Sequence, residues 1–110
     1  SLHDALPISL LKFLSPEEII LAKSDTTAAG FYAAKEAISK ALGIGISEKC
    51  GFMDIKIYKD AKNAPSFTLS RHLIEDYNIT DVSLSITHDN GFAMAVAVIE
   101  GKKETRQLWH

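Results

Sequence analysis

Glu36 and Lys40 stand four residues apart in the stretch GFYAAKEAISKALGIG, residues 30–45. On a helix that spacing places a carboxylate and an ammonium on one face. The plain reading is a surface ion pair worth a few tenths of a kcal/mol, ~0.3–0.5. Lys40 also falls in the last turn, where a cation suits the helix dipole whatever else it does. The sharper reading joins the two to the Gly43-Ile44-Gly45 run that follows. A carboxylate can hold Mg²⁺ through oxygen, an ammonium one turn on can meet a phosphate, and a Gly-x-Gly loop lets a ligand approach backbone closely. Spacing alone leaves both readings open.

His88 ends the run SLSITHDNG. It is either satisfied by the turn that follows, with Asp89 as its partner, or free for a ligand. His72 falls at a polar helix start and reads as solvated; His3 and His110 lie in the tails. No pair of histidines has zinc-ligand spacing, and neither a Ser/His/Asp arrangement nor a Walker-type loop is present. Turn or surface roles suffice for Asp54, Asp60 and Asp76. Cys50 is the single cysteine, so no internal disulfide forms; a buried, inert thiol and a reducing cytoplasmic home follow.

These residues need elements to hold them. LSPEEIILAK opens a first helix, with Ser15 as cap, Pro16 in the first turn and Glu18 closing a capping box. A break at Lys23–Asp25 precedes a long helix from Thr26 or Thr27 to about Leu42, stopped by Gly43. Residues 54–58 alternate as a half-exposed strand, KDAKNAP is a turn, and 66–69 form a short second strand. SRHLIEDYN reads as a short helix ending near Asn78. Residues 82–87 alternate cleanly, Asn90-Gly91 makes a tight hairpin, and 92–99 are apolar on both faces, as in a central strand covered on both sides. Ala93, Ala95 and Ala97 offer a flat strip for Ala28, Ala29, Ala33, Ala34 and Ala37 of the long helix. The expected fold is α+β, an antiparallel sheet packed against a long helix.

The chain has 110 residues, 46% hydrophobic and 24% charged, with formal net charge -2. That is one domain with a real core and no global basic field, so neither nucleic acid nor a second domain is expected. No apolar run reaches the roughly 18–20 residues of a membrane span, and the start SLHDALPISLLKFL lacks the basic flank and cleavage site of a signal peptide.

Together the segments resemble one family, the holo-[acyl-carrier-protein] synthases, the short class of 4′-phosphopantetheinyl transferases. The resemblance rests on Tyr32, Lys35-Glu36-Ala37, Lys40, Ala41-Leu42-Gly43 and Gly45, on KNAP, and on Ser85 to His88, and it covers about Phe13 to Glu100. It implies transfer of the phosphopantetheine arm of coenzyme A to a serine of apo acyl carrier protein, with release of adenosine 3′,5′-bisphosphate, in fatty acid biosynthesis. It implies Mg²⁺ and a homotrimer with sites at the subunit interfaces. By the same resemblance Glu36 is a metal ligand. Lys40 is placed on the pyrophosphate, where it orients or deprotonates the serine or neutralises the leaving phosphate. His88 is near a nucleotide phosphate, and Ser39, Gly43 and Pro65 line the coenzyme A cleft.

Two positions depart from the family pattern. Its opening strand of the type Gly-Ile-Asp-Ile-Val, whose aspartate is a second metal ligand, has no counterpart in SLHDALPISL, where Asp4 sits in the wrong context. Phe31 stands where many members carry arginine, which removes one phosphate contact. The expected layout is a non-family segment over 1–12, a transferase domain lacking its first strand over 13–100, and a polar tail over 101–110 with Leu108 and Trp109 unexplained. The alternative expectation is a non-catalytic remnant that binds only coenzyme A or the carrier; a plain α+β module with no ligand is a third. Lys12, Lys23 and Arg71 are the candidate contacts for an acidic carrier, with ordinary solvated side chains as the alternative.

Overall fold

A computed structural model describes residues 12–102. Expectations for the chain start with His3 and Asp4, and for the tail with Leu108, Trp109 and His110, lie outside the described residues.

Helix α1 spans Pro16–Leu21 and begins as its sequence dictates: the Ser15 Oγ accepts from the Glu18 amide at 3.2 Å and the Glu18 Oε1 accepts from the Ser15 amide at 2.7 Å. Glu18 does more than cap. Its side chain is buried, and its Oε2 accepts from the Ile57 amide at 2.9 Å.

Helix α2 spans Asp25–Ala41, with Ser24 capping through the Thr27 amide. Ala28, Phe31, Ala34 and Ile38 recur at helical spacing on its buried face. Lys35 lies in that face too. Its ammonium donates to the Glu18 Oε1 at 2.8 Å, the Phe13 carbonyl at 2.8 Å and the Phe52 carbonyl at 2.9 Å, which uses all three of its donors. One side chain thereby ties α2 to α1, to the segment before it, and to the short 3-10 turn Phe52–Asp54.

Two antiparallel ladders follow. β1 (Ile55–Lys59) pairs with β2 (Pro65–Leu69), placing Lys59 opposite Pro65. Their turn is held by the Asp60 Oδ1, which accepts from the Lys62 and Ala64 amides at 2.8 and 2.9 Å. After α3 (Arg71–Asp76), β3 (Ile79–Asp89) and β4 (Phe92–Gly101) form the hairpin that Asn90-Gly91 announces, with positive φ at both turn residues. The expected antiparallel sheet is thus divided into two ladders. The expected strand over 54–58 begins one residue later, because Asp54 closes the 3-10 turn.

The alanine strip behaves as expected: Ala93, Ala95 and Ala97 are half-buried on the side where α2 packs against β4. The other side of β4 departs from expectation. Phe92, Met94, Val96 and Val98 are 74, 66, 62 and 51% exposed, beside exposed Ser83, Ser85 and Thr87 of β3. A single long helix covers one face, and among the described residues nothing reaches the other. No described helix is long and apolar enough to cross a membrane.

Candidate functional site

The C-terminal end of α2 gathers four of the expected site residues. Glu36 is half-buried and Lys40 is exposed. Among the described residues the salt bridge of α2 is Lys35–Glu18, so Glu36 and Lys40 are left free of each other. Glu36 faces Tyr32, one turn earlier; desolvation first, then the Glu36 carboxylate, pushes the Tyr32 hydroxyl above its usual range. Tyr32 belongs to an aromatic cluster with Phe13 and Phe52, at ring-centroid separations of 5.0 and 5.6 Å. Of that cluster the sequence marked only Tyr32, through the family pattern; the two phenylalanines come from distant segments.

Ser39 is buried. Its hydroxyl donates to the Glu36 carbonyl at 2.8 Å, and its carbonyl accepts from the Gly45 amide at 3.1 Å. Ser39 therefore shapes the loop from within. Gly43 and Gly45 adopt φ of 82° and 61°, and a Cβ at Gly43 would meet nothing within 4 Å, so that backbone faces open space. A ligand passing Lys40 can approach the loop without meeting side chains.

Pro65 and His88 meet elsewhere. They line a pocket of about 180 Å³ with Thr27, Phe31, Lys59 and Ile86. The β1–β2 register delivers Lys59 and Pro65 as a pair, and β3 delivers Ile86 and His88 on its α2-facing side. Phe31, at the position expected to cost a phosphate contact, is buried in the core beneath the pocket, so it brings no charge there. His88 rests on Gly30 of the same helix that carries Glu36 and Lys40. At ~1.5 Å per residue, Glu36 lies ~9 Å and Lys40 ~15 Å further along the axis. The expected residues therefore form two groups on one helix, Glu36, Ser39, Lys40 and Gly43 at one end and Pro65 and His88 at the other.

Among the described residues no group of three His, Cys, Asp or Glu side chains could hold a metal ion. Asp54, a carboxylate in the neighbouring turn, is occupied: burial would raise it, but the Ser70 hydroxyl at 2.7 Å, the Gly51 amide at 2.8 Å and the charge of His72 bring it below the usual range. Cys50 is buried and unpaired, and burial, then the Asp54 charge, pushes its thiol up, as an inert core cysteine requires. Lys12, Lys23 and Arg71 are all exposed.

The sequence matches the model of the 4′-phosphopantetheinyl transferase superfamily over residues 3–97, a span that contains both groups. The chain belongs to this superfamily. Within the 4′-phosphopantetheinyl transferases it is 60% identical over 88 residues to a protein of Campylobacter jejuni strain 81-176 named holo-[acyl-carrier-protein] synthase, covering 80% of this chain and 76% of that one. A relative of the same name from Sulfurimonas denitrificans is 53% identical over 89 residues, covering 81% of this chain and 74% of that one. Among solved transferase structures, the Helicobacter pylori holo-[acyl-carrier-protein] synthase in complex with coenzyme A is similar at a TM-score of 0.80 and 52% identity, covering 84% of this chain and 81% of that one. The α+β architecture of the transferases is therefore the architecture of this chain.

Proposed function

We propose that this chain transfers the 4′-phosphopantetheine arm of coenzyme A to a serine of an apo acyl carrier protein, the step that readies the carrier for fatty acid biosynthesis. The observation that carries the reading is its 60% identity, over 88 residues, to a protein named holo-[acyl-carrier-protein] synthase.

The chemistry is one displacement at phosphorus. The serine Oγ bonds to the phosphorus that carries the pantetheine arm. The bond from that phosphorus to the bridging oxygen breaks, and adenosine 3′,5′-bisphosphate leaves with the electron pair while the serine proton passes to a base or to water. Lys40, exposed and free of Glu36, is suited to the diphosphate, where its charge offsets that building on the bridging oxygen. The open Gly43 backbone gives the ligand room beside it. His88 and Pro65 wall the nucleotide end.

Glu36 would give Mg²⁺ one carboxylate oxygen. The donor chemistry fits, since magnesium is usually held by one or two carboxylates with substrate phosphates and water in its other positions. When bound, the ion would neutralise charge on the phosphate oxygens.

The homotrimer with sites at subunit interfaces is compatible with the bare apolar face of Phe92, Met94, Val96 and Val98, four large side chains that a further copy would remove from water. The single buried thiol of Cys50 suits a cytoplasmic setting.

Apo carrier protein mixed with the chain, coenzyme A and Mg²⁺ should gain the mass of the arm. Coenzyme A binding without any gain would leave the non-catalytic reading. No binding at all by calorimetry would overturn both.

A further inference from the structure

Gly30 is an interior residue of α2, where glycine is a poorer helix former than alanine. A Cβ placed there would lie 2.8 Å from the His88 Cε1, 3.3 Å from the His88 Nε2 and 3.1 Å from the Ile86 Cγ2. The first distance is shorter than real side chains tolerate. The helix therefore meets β3 through its bare backbone, and the imidazole lies in the space a methyl group would take. Beyond it opens the pocket lined by Thr27, Lys59 and Pro65, which holds an ammonium and a hydroxyl.

We propose that Gly30 is a positioning residue: it seats the His88 imidazole so that His88 and Lys59 together take a phosphate group of the nucleotide half of coenzyme A. An imidazole N–H and an ammonium are both donors suited to phosphate oxygens. The inference rests on the coenzyme A reading above and adds Gly30 and Lys59 to it. The atoms crowded by a Cβ belong to the far end of the His88 side chain and to one Ile86 methyl, so alanine at position 30 displaces the ring while the fold stands.

Calorimetry with adenosine 3′,5′-bisphosphate and with adenosine tests this on the full chain. Gly30→Ala, His88→Ala and Lys59→Ala are each expected to weaken the bisphosphate by about tenfold or more and leave adenosine unchanged. Gly30→Ala with His88→Ala should bind no more weakly than His88→Ala alone. Thermal melts read the contact itself: Gly30→Ala should raise Tm in the His88→Ala background, where only helix propensity acts, and raise it less or lower it when His88 is present. Equal losses for adenosine and bisphosphate, or additive losses in the double variant, would overturn the inference alone. A wild-type chain that binds no bisphosphate would overturn it together with the proposed function. Should Gly30→Ala fail to fold, Lys59→Ala, on a half-exposed strand residue, carries the same test of the subsite.

Discussion

Lys35 and Glu18 meet at 2.8 Å with 0% and 1% of their side chains exposed. The pair is fully hydrogen-bonded. The ammonium also reaches two backbone carbonyls, and the carboxylate also takes the Ser15 and Ile57 amides. Removing one partner strands the other in the core. Lys35→Met is expected to cost ~3–5 kcal/mol, a large share of a domain's ~5–15 kcal/mol. Urea unfolding measures it; a loss below about 1 kcal/mol would show that water reaches the pair.

Glu36, half-buried beside Tyr32, and exposed Lys40 carry no comparable structural duty. Glu36→Gln is expected to leave the urea midpoint within the small range of surface changes and to cut arm transfer by about 10²-fold or more, read by carrier mass. Lys40→Ala should act in the same direction. Normal turnover in Glu36→Gln would remove the metal role assigned to it.

Val96 is the third of the four apolar side chains on the bare face of β4. Val96→Glu puts a charge where a further copy would have to bury it, so the assembled species should fall to single chains in sedimentation. An unchanged mass would place the interface elsewhere.

Asp54 gives the fold an acid limb. Its folded carboxyl lies below the ordinary aspartate value of about 3.9, so the stability it contributes is complete above that value and is lost as pH falls through the lower folded value. Asp54→Asn should flatten the fall of the urea midpoint below about pH 4. A parallel, equally steep fall would mean that other carboxylates set the limb.

Elements made by neighbours in the chain were legible. The Ser15–Glu18 box, the Gly43 stop and the Asn90-Gly91 turn are each written within a few residues, and each formed, whereas α2, expected from Thr26 or Thr27, starts at Asp25 behind a Ser24 cap. The family was also legible, because Lys35-Glu36, Lys40 and the Ser85–His88 strand end fall in one order. What stayed hidden depends on distant partners. Lys35 was legible only as part of the Lys35-Glu36-Ala37 pattern, and its three acceptors lie 17 to 22 residues away. Gly30 was read only as a residue of the quoted helical stretch, and its reason, the ring of His88, arrives at the end of β3. The second side of β4 was expected to be covered because its residues are apolar. Apolarity says that a surface wants cover without saying which molecule provides it.

That uncovered strand side has a price in handling. Among the described residues the outer edge of β4 is also unpaired, and an open backbone ladder beside exposed Phe92, Met94 and Val96 is a template for sticky, misaligned contacts between newly made chains. Yield in a recombinant host should accordingly turn on how fast chains find their proper neighbours, with slow, cool synthesis favouring soluble material over inclusion bodies.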